Sequence, residues 1–393
     1  MHEQEKNDIY LKIIIVLFSF LAWGSIKFPV PAFPQLNTVF HTSDSAIKFS
    51  ITLNYFGFGI SQFMWGILSD RYGRRPALLS SLGVACLGIL TVIFSHSIYT
   101  FVVGWFVEGM GIGSVGALAR ASLADRFDIP KILPVFVYSS IAVVVAPFIA
   151  MVAGGYILLI DWRIIFIAMF VSIAAFLIFC FFRFAETNQS KLPSLQIKII
   201  IENFKIILSS KYFWRYTLIF TLISGYNLAY FASMGYWFVL QFHMSIHLFA
   251  WNAFPSVLSF MFGAFLSKYL SKRCTSNVIL FAVIVYIILL PIILAGFSLL
   301  FKPNIPAIVI FMTLYALAAG VITPFANANL IHYFRANIGI LPGLTSGFRA
   351  IGTGLIILIA INLSFTHFWP FIVYTLSVGM LTLFSFYIFK ENK

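Results

Sequence analysis

Residues 66–95 read GILSDRYGRRPALLSSLGVACLGILTVIFS, a dense knot of charge followed by a run with no charged side chain after Arg75. A helix needs about 20 mostly apolar residues to cross a bilayer, and the run after Pro76 has that length. Its apolar residues are continuous rather than alternating, which selects a helix over a barrel strand. In hydrocarbon every backbone polar group must be bonded internally, and a helix achieves this within one segment.

The same pattern recurs outward in both directions. Apolar runs fall near residues 10–28, 49–68, 77–95, 99–121, 134–159, 163–183, 215–240, 248–267, 277–300, 305–327, 341–362 and 368–389. The chain of 393 residues is 61% hydrophobic and only 9% charged, against roughly 25% charged in a soluble domain. A water-soluble fold is excluded. The expectation is an all-α membrane protein of about 12 transmembrane helices in two pseudo-symmetric six-helix bundles. The first run is long and lacks a small-residue cleavage pattern after it, so it reads as a retained span and not a signal peptide.

Lysine and arginine accumulate on the cytoplasmic side of short loops. With the N-terminus inside, 19 of the 25 fall in inner segments and 3, Lys48, Arg163 and Lys302, in outer loops. Lys27, Arg120 and Arg349 fall inside helices. Both termini are therefore expected to be cytoplasmic. The net charge of +13 reads as topology facing anionic lipid and not as a nucleic-acid surface. Cys86, Cys180 and Cys274 are too scattered for a zinc site or a disulfide framework.

The longest polar stretch, residues 184–212, divides an N-terminal bundle (1–183) from a C-terminal one (213–393). Within it LQIKIIIENFKIIL has apolar residues at helical spacing with lysines between, which fits a surface helix or an ordinary amphipathic connector. LSDRYGRR at 68–75 is echoed by LSKYLSKR at 266–273, after the eighth span. Such internal repetition is how one large group of secondary transporters is built, with the substrate between halves near the midplane.

GILSDRYGRRP, from Gly66 to Pro76, resembles the signature loop between the second and third helices of the major facilitator superfamily. Gly66 permits close helix approach and Gly73 a tight reversal. The resemblance implies that Asp70 faces the start of the eleventh helix near Pro342 and Gly343, as a latch. It also implies a cytoplasmic gate of Gly66, Asp70, Arg71, Gly73, Arg74, Arg75, Arg120 and Asp125, in which the arginines pair with acids such as Asp125. The likeness is to the drug and proton antiporter branch of bicyclomycin-resistance type. It is carried by PAFP (31–34), ALARASLADRF (117–127), APFIAMVAGG (146–155), DWRIIF (161–166) and GVITPFANAN (320–329). Pro147, Gly154 and Gly155 are the expected hinge of the fifth helix.

The departures bear on the substrate. Lys27 stands where many relatives carry an acid, and Trp105 replaces the fourth-helix arginine. Glu108 is the only acidic residue deep within any span, and a charge at that depth is a functional candidate. It is expected to carry the coupled proton, or else to be a structural partner for a buried cation or hydroxyl. Lys27 either contacts substrate or reaches out to the interface, and Arg349 is a candidate for the cavity. Trp105, Tyr226, Asn227, Tyr230, Asn252 and Asn327 complete the expected substrate cavity.

The implied function is secondary active transport of a small organic solute, as a proton-coupled drug-type exporter. An anionic metabolite or carboxylate siderophore is the alternative cargo, because Lys27 and Arg349 oppose one deep acid. A membrane sensor that no longer transports is a third reading. No HExxH pattern and no GxxxxGK[ST] loop occurs, so neither zinc proteolysis nor ATP-driven transport is expected. The expected partners are the lipid bilayer and a small-molecule substrate. The energy source is a proton gradient, with no metal, cofactor, nucleic acid or obligate protein partner. A bacterial inner membrane is the expected location.

Overall fold

The computed structural model describes residues 2–127, 129–188, 197–236, 238, 242–245, 248, 251–301, 304–334, 341–361 and 368–389. Fifteen α-helices occur among them. The first eight are α1 (His2–Lys27), α2 (Phe33–Val39), α3 (Asp44–Tyr72), α4 (Arg74–Ile93), α5 (Ile98–Ile112), α6 (Val115–Ala124), α7 (Ile129–Ile157) and α8 (Trp162–Arg183). Then come α9 (Ile197–Ser209), α10 (Lys211–Tyr236), α11 (Phe254–Arg273), α12 (Ser276–Leu300), α13 (Ile305–Tyr333), α14 (Leu341–Ile361) and α15 (Phe368–Ile388).

Among the described residues, eleven of the twelve expected spans overlap one helix each and the fourth overlaps two. Eight helical stretches among the described residues are long and apolar enough to cross a bilayer by length and composition. The helix α3 is long enough but not among them, since its uncharged middle carries Asn54 and Gln62. Helix starts are closed by short polar side chains. Ser97 and Thr100 form a reciprocal capping box on α5, Asp161 accepts from Arg163 N at 2.7 Å on α8, and Asn304 accepts from Ala307 N at 2.9 Å on α13. Each satisfies a backbone donor that the helix cannot.

Two expectations are corrected. The fourth span, read as one run over 99–121, is broken, because α5 stops at Ile112 and α6 begins at Val115. Across the break Ser114 N donates to Gly111 O at 3.5 Å, leaving Met110 O without its helical donor, and Trp65 Nε1 of α3 supplies one at 2.8 Å. Asn252, read as part of the eighth span, lies in a turn before α11. Pro255 follows at the second position of that helix, where a missing N–H costs nothing.

The chain divides into two compact units. One comprises Met1–Glu202 with Pro342–Gly347, and the other Asn203–Leu341 with Phe348–Lys393. In the first, α5 is packed between α3 and α4, α1 lies on α7, and α4 also meets α8. In the second, α11 packs on α13, α12 on α15, and α10 on both α13 and α15.

Candidate functional site

A buried carboxyl of the N-terminal unit, Glu108, sits where α5 crosses α3 and α4 closely. Glycines set that crossing: a Cβ on Gly57 would lie 2.5 Å from Phe106 O, one on Gly104 would meet Gly88 O at 2.9 Å, and Gly88, Gly109 and Gly111 would collide with Glu108 N, Asn54 O and Ala85 N. Without these small residues the backbones could not approach so closely, which is how van der Waals packing holds membrane helices together. Glu108 is enclosed by this packing and is 0% exposed.

Asn54 of α3, 2% exposed, meets Glu108 there. Its Nδ2 donates to Glu108 Oε2 at 2.7 Å and to Trp105 O at 2.7 Å. Ser25 of α1 stands against the same carboxyl and donates its own hydrogen to Ala22 O at 3.0 Å. Glu108 Oε1 and Trp105 Nε1 are buried without a hydrogen-bond partner among the described residues. The Trp105 ring packs edge-on against Phe166 at 5.8 Å. The carboxyl is thus enclosed and held through one oxygen, with the other unpaired among the described residues, an arrangement able to take up and release a proton.

A second cluster occupies the turn between α3 and α4. Gly73 makes this turn with φ 106° and ψ 158°, a backbone region essentially restricted to glycine. Arg74 is the hub: Nη1 donates to Asp70 Oδ1 at 2.5 Å and to Ser69 Oγ at 2.7 Å, and Nε to Asp125 Oδ2 at 2.8 Å. Arg75 departs from the expected acid pairing, its Nη2 donating to Phe181 O at 2.7 Å. Arg71 lies over the Tyr72 ring at 5.1 Å. Gly66 faces Ala117 of α6, where an added Cβ would be 3.6 Å away. The Arg120 side chain and the side chain of Pro342 lie outside the described residues.

Three residues that sequence reasoning missed complete this cluster. Glu186 accepts from Arg74 N at 2.8 Å and Arg75 N at 3.3 Å. Asn188 donates to Ser69 O at 3.4 Å and Asp70 O at 3.2 Å, and Thr187 to Asp125 Oδ2 at 3.4 Å. The segment after α8 therefore caps the end of α3 and the start of α4. The signal was the run ETN directly after an apolar helix, opposite a glycine that has no capping side chain of its own.

The other candidates are dispersed. Lys27, the last residue of α1, is buried. The expected hinge glycine Gly154 faces Phe28 O, Gly155 is also buried, and Pro147 lies within α7. In the C-terminal unit Tyr226 and Tyr230 are buried in an aromatic cluster, the Tyr226 hydroxyl 2.6 Å from Thr375 Oγ1 and its ring 4.3 Å from Tyr315. Asn227 Nδ2 is buried without a hydrogen-bond partner among the described residues. Asn327 donates back to Thr323 O on its own helix at 3.0 Å, and Asn252 to Leu248 O at 3.3 Å. The Arg349 guanidinium lies over Phe220 at 4.8 Å. Among the described residues no cluster of acids, histidines or cysteines could hold a metal ion.

Residues 15–356 match the Major Facilitator Superfamily. The chain belongs to that superfamily. It is 23% identical over 276 residues to a bicyclomycin resistance protein homolog of Haemophilus influenzae, covering 69% of each protein. It is 23% identical over 209 residues to the multidrug transporter MdfA of Yersinia pestis, covering 53% of this chain and 51% of that relative. An uncharacterized transporter of Rickettsia bellii is 24% identical over 241 residues, covering 61% of this chain and 59% of its own. The matched stretch thus spans between about half and two thirds of these curated relatives. In fold, the chain is similar to the partially occluded, inward-open xylose transporter XylE from E. coli, with a TM-score of 0.73, 14% identity and 98% of each chain covered. It is likewise similar to a D-xylose-proton symporter, with a TM-score of 0.70, 13% identity, and 96% of this chain and 97% of that one covered. These superfamily members are transporters and not enzymes.

Proposed function

We propose that this member of the superfamily is a proton-coupled secondary transporter that exports small organic solutes of multidrug type across a bacterial inner membrane by alternating access. The observation that carries the reading is Glu108, a wholly buried carboxyl in the fourth span with one oxygen held by Asn54. An ionisable group in that position is costly, about 2.5–3.5 kcal/mol on insertion scales, and marks a proton or substrate path. The relatives named for bicyclomycin resistance and multidrug transport support the cargo class.

In this reading the two bundles are residues 1–183 and 213–393, the linker is 184–212, and both termini are cytoplasmic. The cluster of Gly66, Asp70, Arg71, Gly73, Arg74, Arg75, Arg120 and Asp125 is the cytoplasmic gate, and Pro147, Gly154 and Gly155 allow the fifth span to flex. Glu108 takes up a proton from one side and releases it to the other as the bundles alternate. Purified protein in liposomes with an imposed pH gradient tests this. Gradient-driven accumulation is expected for the native chain and lost in Glu108→Gln. Unchanged pH-dependent transport in that variant removes Glu108 from the mechanism.

A second reading, transport of an anionic metabolite or carboxylate siderophore, is favoured by the buried Lys27 and by Arg349 stacked on Phe220. Matched anionic and cationic substrates separate the two. Preference for the cations ends the anion reading, and accumulation of neither leaves a membrane sensor.

A further inference from the structure

The close glycine crossing of the N-terminal unit occurs a second time. In the C-terminal unit Gly263 of α11 faces Leu317 O and Gly320 of α13 faces Phe260 O. In the N-terminal unit Gly57 of α3 faces Phe106 O and Gly109 of α5 faces Asn54 O. In all four cases the glycine meets the carbonyl of the residue three before its partner glycine. Superimposing the glycines places Phe260 at the position of Asn54 and Ala319 at that of Glu108. The crossing therefore forms with apolar residues alone. Asn54 and Glu108 are not its glue, and a polar pair kept at such depth needs another reason.

The geometry gives one. Asn54 uses both of its amide hydrogens, one on Trp105 O and one on Glu108 Oε2. That fixes the carboxyl plane and leaves Oε1 as the oxygen free to take a proton. Against this carboxyl stands Ser25, whose hydrogen goes to Ala22 O. A protonated Oε1 is a donor, and the Ser25 oxygen has lone pairs to accept from it. When the proton leaves, the carboxylate becomes acceptor-only, and the Ser25 hydroxyl satisfies it by turning away from Ala22 O.

We propose that Glu108, Asn54 and Ser25 form a proton sensor joining α5, α3 and α1, in which Asn54 is the positioning residue and Ser25 changes hydrogen-bond partner with each protonation. The proposal rests on the reading of Glu108 as the coupling carboxyl. Ser25 of α1, Asn54 of α3 and Gly88 of α4, which face Glu108, carry no charge. Lys27 lies two residues beyond Ser25 and so about 200° round α1, Lys48 lies six residues before Asn54, about 9 Å along α3, and Arg74 and Arg75 stand at the far end of α4.

Infrared difference spectra of the full chain in liposomes, recorded between acid and alkaline buffer, read the site directly. The native protein is expected to show a protonated-carboxyl band that Glu108→Gln abolishes. In Asn54→Leu the band moves to higher wavenumber, because its carbonyl loses a hydrogen bond, and gradient-driven transport falls about tenfold with KM unchanged. Ser25→Ala moves the band as well, whereas Ser25→Thr keeps the hydroxyl and restores its position. The two Ser25 variants carry the test if Asn54→Leu does not yield folded protein. A Glu108-dependent band unmoved by Asn54→Leu or Ser25→Ala overturns the sensor and leaves Glu108 as coupling carboxyl. A band and gradient-driven transport that both survive Glu108→Gln overturn the underlying reading instead.

Discussion

Gly73 and Glu186 show how single residues hold the turn between α3 and α4. The φ of 106° at Gly73 belongs to a backbone region that side chains resist at about 1–3 kcal/mol. Gly73→Ala is therefore expected to lower the melting temperature of the detergent-solubilised protein, with Gly83→Ala, where an added Cβ meets nothing within 4 Å, as a control that does not. Glu186 accepts from two backbone N–H groups at the start of α4, where a negative charge also complements the helix dipole. Glu186→Ala should cost about 0.5–2 kcal/mol, as removal of an N-cap does, and Glu186→Gln should recover part of it by restoring an acceptor without the charge. Thermal melts of the two variants side by side measure the difference. The Arg74–Asp70 pair on its own is a weaker lever on stability, since Asp70 is 44% exposed and solvent screens the pair.

At the scale of helices, close crossings fix which face of each span turns inward. Gly109→Val and Gly320→Val place a branched side chain against a carbonyl of the neighbouring helix, so both should sharply reduce the monodisperse fraction on size exclusion. Gly296→Ala, facing open space, should leave it unchanged. The spans themselves were legible in the sequence because twenty apolar residues admit one reading in a bilayer. The break at Gly113 and Ser114 was not, because residues 99–121 are apolar on both sides of it, and the donor that makes the break tolerable, Trp65 Nε1, comes from another helix. Glu108 was legible as the sole deep acid. Its partner was not, because α3 offers both Asn54 and Gln62 at membrane depth and nothing local tells which one meets α5. The repeat of glycine pairs was equally hidden, since the matching positions are spaced differently in the two halves, whereas LSDRYGRR and LSKYLSKR could be matched by letter.

For the molecule as a whole, charge bias and duplication bear on how the chain lies in the membrane. Nineteen cations in one set of segments against three in the other favour one orientation, because cytoplasmic loops retain lysine and arginine. The duplicated loop keeps the bias but not the chemistry, Lys268 standing where the first loop has Asp70. Of these two matching helix ends, the first builds an arginine-centred network among the described residues, around Arg74. Cys274 sits at the end of α11 beside this second loop and is exposed, whereas Cys180 is buried. It is a natural reporter of sidedness. A membrane-impermeant thiol reagent should leave Cys274 unmodified in intact cells and label it in inverted membrane vesicles, while Ser97→Cys, in the loop before α5, should show the reverse. Labelling of Cys274 from outside intact cells would invert the assigned orientation, and with it the placement of the Arg74 cluster on the cytoplasmic face.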